Sequence, residues 1–366
     1  MWSLLFGIYL QTTIMYHSLD DVENLIFGLL NLLSVLVPLI KLLALLPRKK
    51  KLFGLIAYMV RNFLKADYDD FETSILTTCK RKCSFFVCSS VCFTELTIVS
   101  YVCAPLLVNL FMNESERVLP FKMYLNVPIQ ATPYFEIAYI TQVLALCPVG
   151  FSYFSLDNVL CIINLHIAGQ FRILQYRLSD KYSGQVQNGL DQKSDLYLKD
   201  NAPDVFKSYI RQHQALITYC NELQEVFGII VLALYSQVMT FSMLICLDGF
   251  QVLLLDLIQR KVIFFFHLLT TVCQLIMFSY SCDCIIRESV NLATAAFSGP
   301  WLLLPSSKGI DNLKKDFIML IMRSNKPCYI SGLGFFIVSL ETSTRVITTA
   351  GSYFTLLQQT QSNIDS

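Results

Sequence analysis

Charge is scarce in this sequence. Only 15% of its 366 residues are Asp, Glu, Lys or Arg, against about 25% in a soluble domain. With 54% hydrophobic residues and a mean hydropathy of +0.53, one soluble core has no way to hide so much apolar surface; a membrane protein is implied. Net charge is +1, and the one dense basic block, Arg48 to Lys51, reads as the flank of a span, so no nucleic-acid partner is indicated. HExxH is missing, as are a second cysteine pair to match Cys282 and Cys284, a nucleotide loop and paired carboxylates. Those absences argue against a metal, a cofactor and an enzyme. The lack of symmetry between the halves argues against a transporter. Met1 to Tyr16 has no basic start and no small-residue cleavage site, so it is a span rather than a signal peptide. Most of the 13 cysteines, such as Cys88, Cys161 and Cys246, sit inside apolar runs and act there as small apolar residues.

Long apolar runs are what the sequence has instead. They predict an all-α integral membrane fold with spans at about 1–17, 25–46, 84–110, 137–165, 226–250, 262–282 and 328–357. Helical extensions outside the bilayer are expected at 166–178, 206–224 and 286–323, and together these make a single membrane domain. Polar connections are expected at 113–135, 179–204, 251–261 and 287–308, the last holding Pro300 and Trp301. Ile310 to Arg323 reads as a basic amphipathic helix that Asn325, Lys326 and Pro327 interrupt. Lys41 is expected to reach the interface with its long side chain.

Orientation follows from the basic residues. Of 28 lysines and arginines, 22 lie in the segments after the second, fourth and sixth spans; only Arg117, Lys122, Arg260 and Lys261 lie on the opposite side. The amino end is therefore expected in the cytosol and the carboxy end outside. The sequon Asn113-Glu114-Ser115, a candidate glycosylation site, falls in a loop on the outer side. A G-protein-coupled receptor has the reverse arrangement, and neither Asp-Arg-Tyr after the third span nor Asn-Pro-x-x-Tyr in the last is present.

The carboxy-terminal part carries a resemblance. Its order is Trp301, the basic helix, the Asn-Lys-Pro break, a Gly-rich start, Ser339-Leu340-Glu341-Thr342, Ser352-Tyr353-Phe354 and Leu356-Leu357. With Asn164-Leu165-His166, Gln170-Phe171-Arg172, His213-Gln214, Asn221-Glu222-Leu223 and Arg287-Glu288-Ser289 before it, this resembles the insect odorant receptors. The resemblance implies inverted topology and an odorant-gated cation channel, a heterotetramer with a coreceptor in the plasma membrane of olfactory neuron dendrites. It also implies a longer cytosolic segment ahead of the first span, which here is expected to be truncated at its start. A gustatory-type channel working without a coreceptor is the alternative; its Thr-Tyr and Gln-Phe signature is echoed in part by Ser352-Tyr353 and Gln358-Gln359.

Candidate sites follow from both lines. The resemblance places a pore lining at Leu356, Gln359 and Thr360, whose spacing puts them on one helical face. It places a ligand pocket among the second, third, fourth and sixth spans. Candidates there are Phe27, Asn31, Thr97, Ser100, Tyr101, Tyr139, Val143, Phe265, Phe266, Thr270 and Cys273, with Tyr101 and Tyr139 as polar anchors for a small volatile ligand. Glu341 and Arg345, four apart within the last span, are expected to pair, either as a subunit or pore contact or as self-neutralising charges. Glu95 and Asp157 receive no role, and the histidines have no catalytic partner.

Overall fold

The computed structural model describes residues 2–17, 22–110, 117–121, 123, 129–188, 192–254, 258–299 and 308–364. Among these the chain is almost wholly helical. In order come α1 (Trp2–His17), α2 (Val22–Leu45), a short 3-10 turn, α3 (Lys49–Met59), a π-helical stretch (Val60–Leu64), α4 (Asp70–Asn109), α5 (Tyr134–Asn188), α6 (Gln192–Leu254), α7 (Ile258–Ser298), α8 (Lys308–Ser324) and α9 (Leu340–Ile364). Five stretches, Gly28–Leu64, Asp70–Asn109, Tyr134–Ser179, Asp204–Ser236 and Lys261–Ser298, are long and apolar enough to cross a bilayer. The chain is a multi-pass membrane protein.

The helices outrun the expected spans, mostly at one end of the bundle. Helix α4 starts at Asp70, where Asp69 and Glu72 form a reciprocal capping box, rather than near Ser84. The polar segment 179–204, expected as a loop, is helical to Asn188 and again from Gln192. Helix α7 runs through much of the expected 287–308 loop to Ser298; Pro300 and Trp301 lie outside the described residues. The expected connection at 251–261 shrinks, because α6 reaches Leu254 and α7 begins at Ile258. Polarity misleads in these places: a helix leaving the bilayer keeps its backbone hydrogen bonds and only changes the side chains it shows to water.

The last helix also begins later than its apolar run. Residues 328–339 form a tight reversal, with Val338 N–H donating to Ile330 O at 2.9 Å and Gly332 N–H to Phe336 O at 3.1 Å. Gly334 supplies its turn, at φ +85°. Gln224 of α6 clamps the reversal, accepting from Ser331 N–H at 2.7 Å and donating to Ser331 O at 2.8 Å. Helix α9 then starts behind Ser339, whose hydroxyl accepts from Thr342 N–H at 3.2 Å.

The largest buried core lies where α5, α6, α7 and α8 meet. Leu160, Phe171, Phe206, Leu223, Phe227 and Phe278 are completely buried there. Polar links pin that end together. Arg177 makes a two-pronged bond to Glu72 at 2.7 and 3.0 Å, and Gln175 donates to Glu288. Gln170 donates to Tyr68 at 2.9 Å; burial nonetheless holds the Tyr68 phenol above its usual pKa, with the Gln170 bond working the other way.

Candidate functional site: a small cavity between the membrane helices

Helices α1, α2, α4, α5 and α7 line a half-open cavity of about 100 Å³. Its wall is almost wholly apolar, built from residues such as Val35, Ile98, Leu146, Val149 and Phe154. Glycine makes room for it: a Cβ on Gly150 of α5 would lie 2.6 Å from Ile98 Cδ1 of α4, which lines the same space. A segment after α4 closes one side. Phe121 there stacks on Tyr101 with ring centroids 5.5 Å apart, and Gln142 of α5 holds its backbone by both amide groups, at 3.0 and 2.9 Å.

The polar groups on this wall largely satisfy one another. Tyr101 donates to Asn31 Oδ1 at 2.8 Å and lies 3.4 Å from His267 Nδ1. The hydroxyls of Thr97 and Thr270 are 2.8 Å apart, and Thr270 donates to the Phe93 carbonyl at 3.1 Å. Ser34 donates to the Leu30 carbonyl within its own helix.

The sequence candidates fall into groups. Asn31, Thr97, Tyr101 and Thr270 line this cavity together. Ser100 and Phe266 line a second, larger hollow of about 330 Å³ between α4 and α7, with Cys103 and Val262. Tyr139 is buried and donates to the Val102 carbonyl, which ties α5 to α4 outside either hollow. Phe265 is exposed, and Val143 and Cys273 are half-buried away from both walls. The side chains of Phe27 and Thr360, and the whole of Asn113, lie outside what is described. Leu356 and Gln359 are exposed on α9 in the single chain. Glu341 and Arg345 form an ion pair at 2.7 Å on its exposed face.

Several residues of the cavity region were not among the sequence candidates. Gln11, on α1, and His267 and Thr271, on α7, join the wall. Just beyond it lies an ion pair fully shut from solvent, Lys41 to Asp157 at 2.8 Å, with Lys41 also 3.4 Å from the Tyr153 carbonyl and Gln274 donating to the same Asp157 oxygen. Lys41 therefore does not reach the interface. A partner inside the bundle holds it, since an unpaired ammonium in hydrocarbon is too costly. Two lone charges in spans far apart in sequence were the available hint.

Helix α7 joins these features to the last helix. Thr270 touches the cavity, Gln274 the ion pair, and Ser279 hydrogen-bonds Ser343 of α9 in a buried cluster with Tyr235 of α6, whose hydroxyl is 2.9 Å from Ser279 and 3.1 Å from Ser343. Thr270 and Gln274, four apart, share one face of α7, whereas Ser279, nine residues from Thr270, lies on the opposite face toward α6 and α9, so the helix body itself links the two sides.

A family model described as 7tm Odorant receptor matches residues 21–351. The chain is a member of the odorant receptor family. The receptor is 25% identical to Odorant receptor 10 of Aedes albopictus over 244 residues, 66% of this chain and 60% of that relative. It is 24% identical to Odorant receptor 13a of Drosophila melanogaster over 305 residues, 78% of this chain and 69% of that one. Its fold is similar to that of the insect olfactory receptor OR5 from Machilis hrabei, solved alone and with eugenol: TM-score 0.80, 15% identity, covering 98% of this receptor and 87% of that chain. The all-α architecture is thus shared with a solved olfactory receptor.

Proposed function

We propose that this receptor is an odorant-gated cation channel subunit that binds small volatile ligands and works with a coreceptor in a heterotetramer. Its place is the plasma membrane of olfactory neuron dendrites, with the amino end in the cytosol. The observation that carries this reading is the run of contacts along α7 from the cavity wall at Thr270 to the Ser279–Ser343 bond on α9. A ligand seated against Asn31, Thr97, Tyr101 and Thr270 bears on a helix that is hydrogen-bonded to the candidate pore helix. Ligand binding then favours the channel state in which the cavity fits it better, and only by that difference. In a tetramer, Leu356 supplies an apolar ring and Gln359 with Thr360 a polar one outside it, a gate that closes by excluding water. The extensions of α5, α6, α7 and α8 serve as the contact region between subunits, and Glu341 with Arg345 lies on a face left open to a neighbour. The names of the relatives, and the eugenol complex of the Machilis receptor, support a small, mostly apolar ligand in this fold.

The test is electrical. Expressed in oocytes with an insect coreceptor, the chain gives cation current on exposure to some member of a volatile panel, and none when expressed alone. Current without the coreceptor would favour the gustatory-type alternative. Silence in both cases, with protein demonstrated at the surface, would count against an odorant-gated channel.

A further inference from the structure

The wall of the cavity holds one buried acceptor that the protein leaves unused. Of the described buried side-chain oxygens and nitrogens that lack a hydrogen-bond partner, Gln11 Oε1 is the one on the cavity wall. The residue is 3% exposed. Its position is fixed by close packing: one turn earlier, a Cβ on Gly7 would lie 3.1 Å from Val35 Cγ1, so α1 lies tightly against α2 on the face that carries Gln11. Leu4, Leu10 and Ile14 are the other buried residues of α1, so the amide interrupts an otherwise apolar set. Burying an amide without a partner is unfavourable, and an apolar side chain of the same size would pack there without that cost. The other polar groups of the wall bond to each other or to backbone carbonyls, as Tyr101 does to Asn31 and Thr97 to Thr270.

We propose that Gln11 is a ligand-selecting residue, and that the cavity takes a small volatile alcohol or phenol whose hydroxyl donates to the Gln11 side-chain carbonyl while the hydrocarbon part fills the apolar remainder. The ligand class rests on the reading of this cavity as the odorant site. A ketone, ester or hydrocarbon of the same shape fills the space and leaves Gln11 unpaired. Size sets a limit: an apolar cavity of 150 Å³ accepts benzene, so a space of about 100 Å³ takes a short chain or a single ring only as the wall shifts or as the ligand extends through the open side.

Two matched series test it: 1-hexanol with 2-hexanone and hexane, and benzyl alcohol with benzaldehyde and toluene. Each is applied to oocytes expressing the receptor with the coreceptor, and in parallel to the purified receptor, where thermal stabilisation reads binding without gating. In the wild type the alcohol of at least one series acts at a concentration roughly tenfold lower than its carbonyl and hydrocarbon partners, the effect of one hydrogen bond to a buried group. In Gln11→Leu and Gln11→Met, each checked for surface level, that preference falls to within about twofold while the hydrocarbon acts as well as before or better. Equal potency within both series in the wild type, a preference for the carbonyl compound, or an alcohol preference that survives both substitutions overturns the assignment. If no member evokes current yet the alcohols stabilise the purified receptor most, the channel reading fails and the Gln11 assignment stands. If current is evoked with no alcohol preference, the reverse holds.

Discussion

Where α5, α6, α7 and α8 meet, Phe171, Leu223, Phe227, Phe278 and Phe317 are buried to within about one per cent. Away from that junction, α4 and α7 line two hollows, the smaller shared with α1, α2 and α5, and Leu107, Phe151 and Phe265 are exposed. The closed end has the packing of a soluble core and is tied by Arg177–Glu72 and Gln224–Ser331. The open end carries its apolar surface on the outside, as a lipid-facing bundle does. A dense core resists deformation and moves as a unit, whereas a bundle that keeps hollows has room to shift when one is filled. Helix α7 belongs to both ends and to the contact with α9, so small movements at the open end have a stiff route to the last helix.

The joint between the two ends is the most sensitive place to break this contrast. Removing one member of the Lys41–Asp157 pair leaves a charge buried without its partner, at an expected cost of about 3–5 kcal/mol. Asp157→Ala should therefore reach the surface poorly and melt early in detergent, while the double change Lys41→Met with Asp157→Leu should recover most of the loss. If Asp157→Ala melts like the wild type, the pair is not what holds α2 to α5.

Sharpening the contrast needs one substitution at each end. Phe171→Ala opens a void in the closed core and should cost about 3–5 kcal/mol in thermal unfolding. Those receptors that still reach the surface should keep their order of ligand preference. Gly150→Val at the open end should do the opposite. It crowds the cavity against Ile98, so stability should fall by about 1–3 kcal/mol while ligand potency falls more than tenfold. Equal loss of ligand response from both substitutions would mean that the two ends do not have separate roles.

How far the sequence disclosed these ends differs as well. Hydropathy marked a multi-pass membrane protein because apolar runs of such length have no other use, and Asn325, Lys326 and Pro327 marked a break, although the last helix begins at Leu340 and not at 328. Hydropathy did not reveal that α5 and α6 continue as helices through a polar stretch, since polarity alone does not separate a solvated helix from a loop. On α7 the sequence pointed to Phe265, Phe266, Thr270 and Cys273, but the cavity wall takes His267, Thr270 and Thr271, with Gly150 of α5 also on the wall. The two sets share Thr270 and differ by a rotation of about one residue, which periodicity does not fix where every face of a helix is apolar. Asn31 and Tyr101 were legible as polar residues in apolar runs. Gln11 had the same signature, but α1 was assigned no part in the pocket. Lys41 and Asp157 find each other only through the tertiary fold.

The last helix tests the contrast at a third place, because it belongs to neither end. Leu356 is 57% exposed in the single chain, so Leu356→Ala should leave the melting of the isolated subunit within about 0.5 kcal/mol of wild type. If α9 lines a pore in the tetramer, the same change widens an apolar ring and should raise the current that flows without odorant. Unchanged resting current, with normal surface level, would remove Leu356 from the gate.

The smallest effect belongs to Glu341 and Arg345. Their side chains are 75–78% exposed, and the pair sits at a four-residue spacing with the acid nearer the amino end, the favourable order. In water such a pair contributes only about 0.3–0.5 kcal/mol, and exchanging both for Gln should move the melting of a single subunit by no more than that. In hydrocarbon the same two charges would be expensive to expose. If the chain assembles as proposed, their exposure in the single chain predicts that something polar covers or bathes them there, either a neighbouring subunit or a water-filled space. Cross-linking from a cysteine placed at Arg345 separates these outcomes. Capture of the coreceptor by a short linker indicates a subunit contact, whereas rapid reaction with a water-soluble thiol reagent and no capture indicates an aqueous wall. If neither occurs, the pair faces lipid, and α9 is turned differently from the orientation that a pore requires.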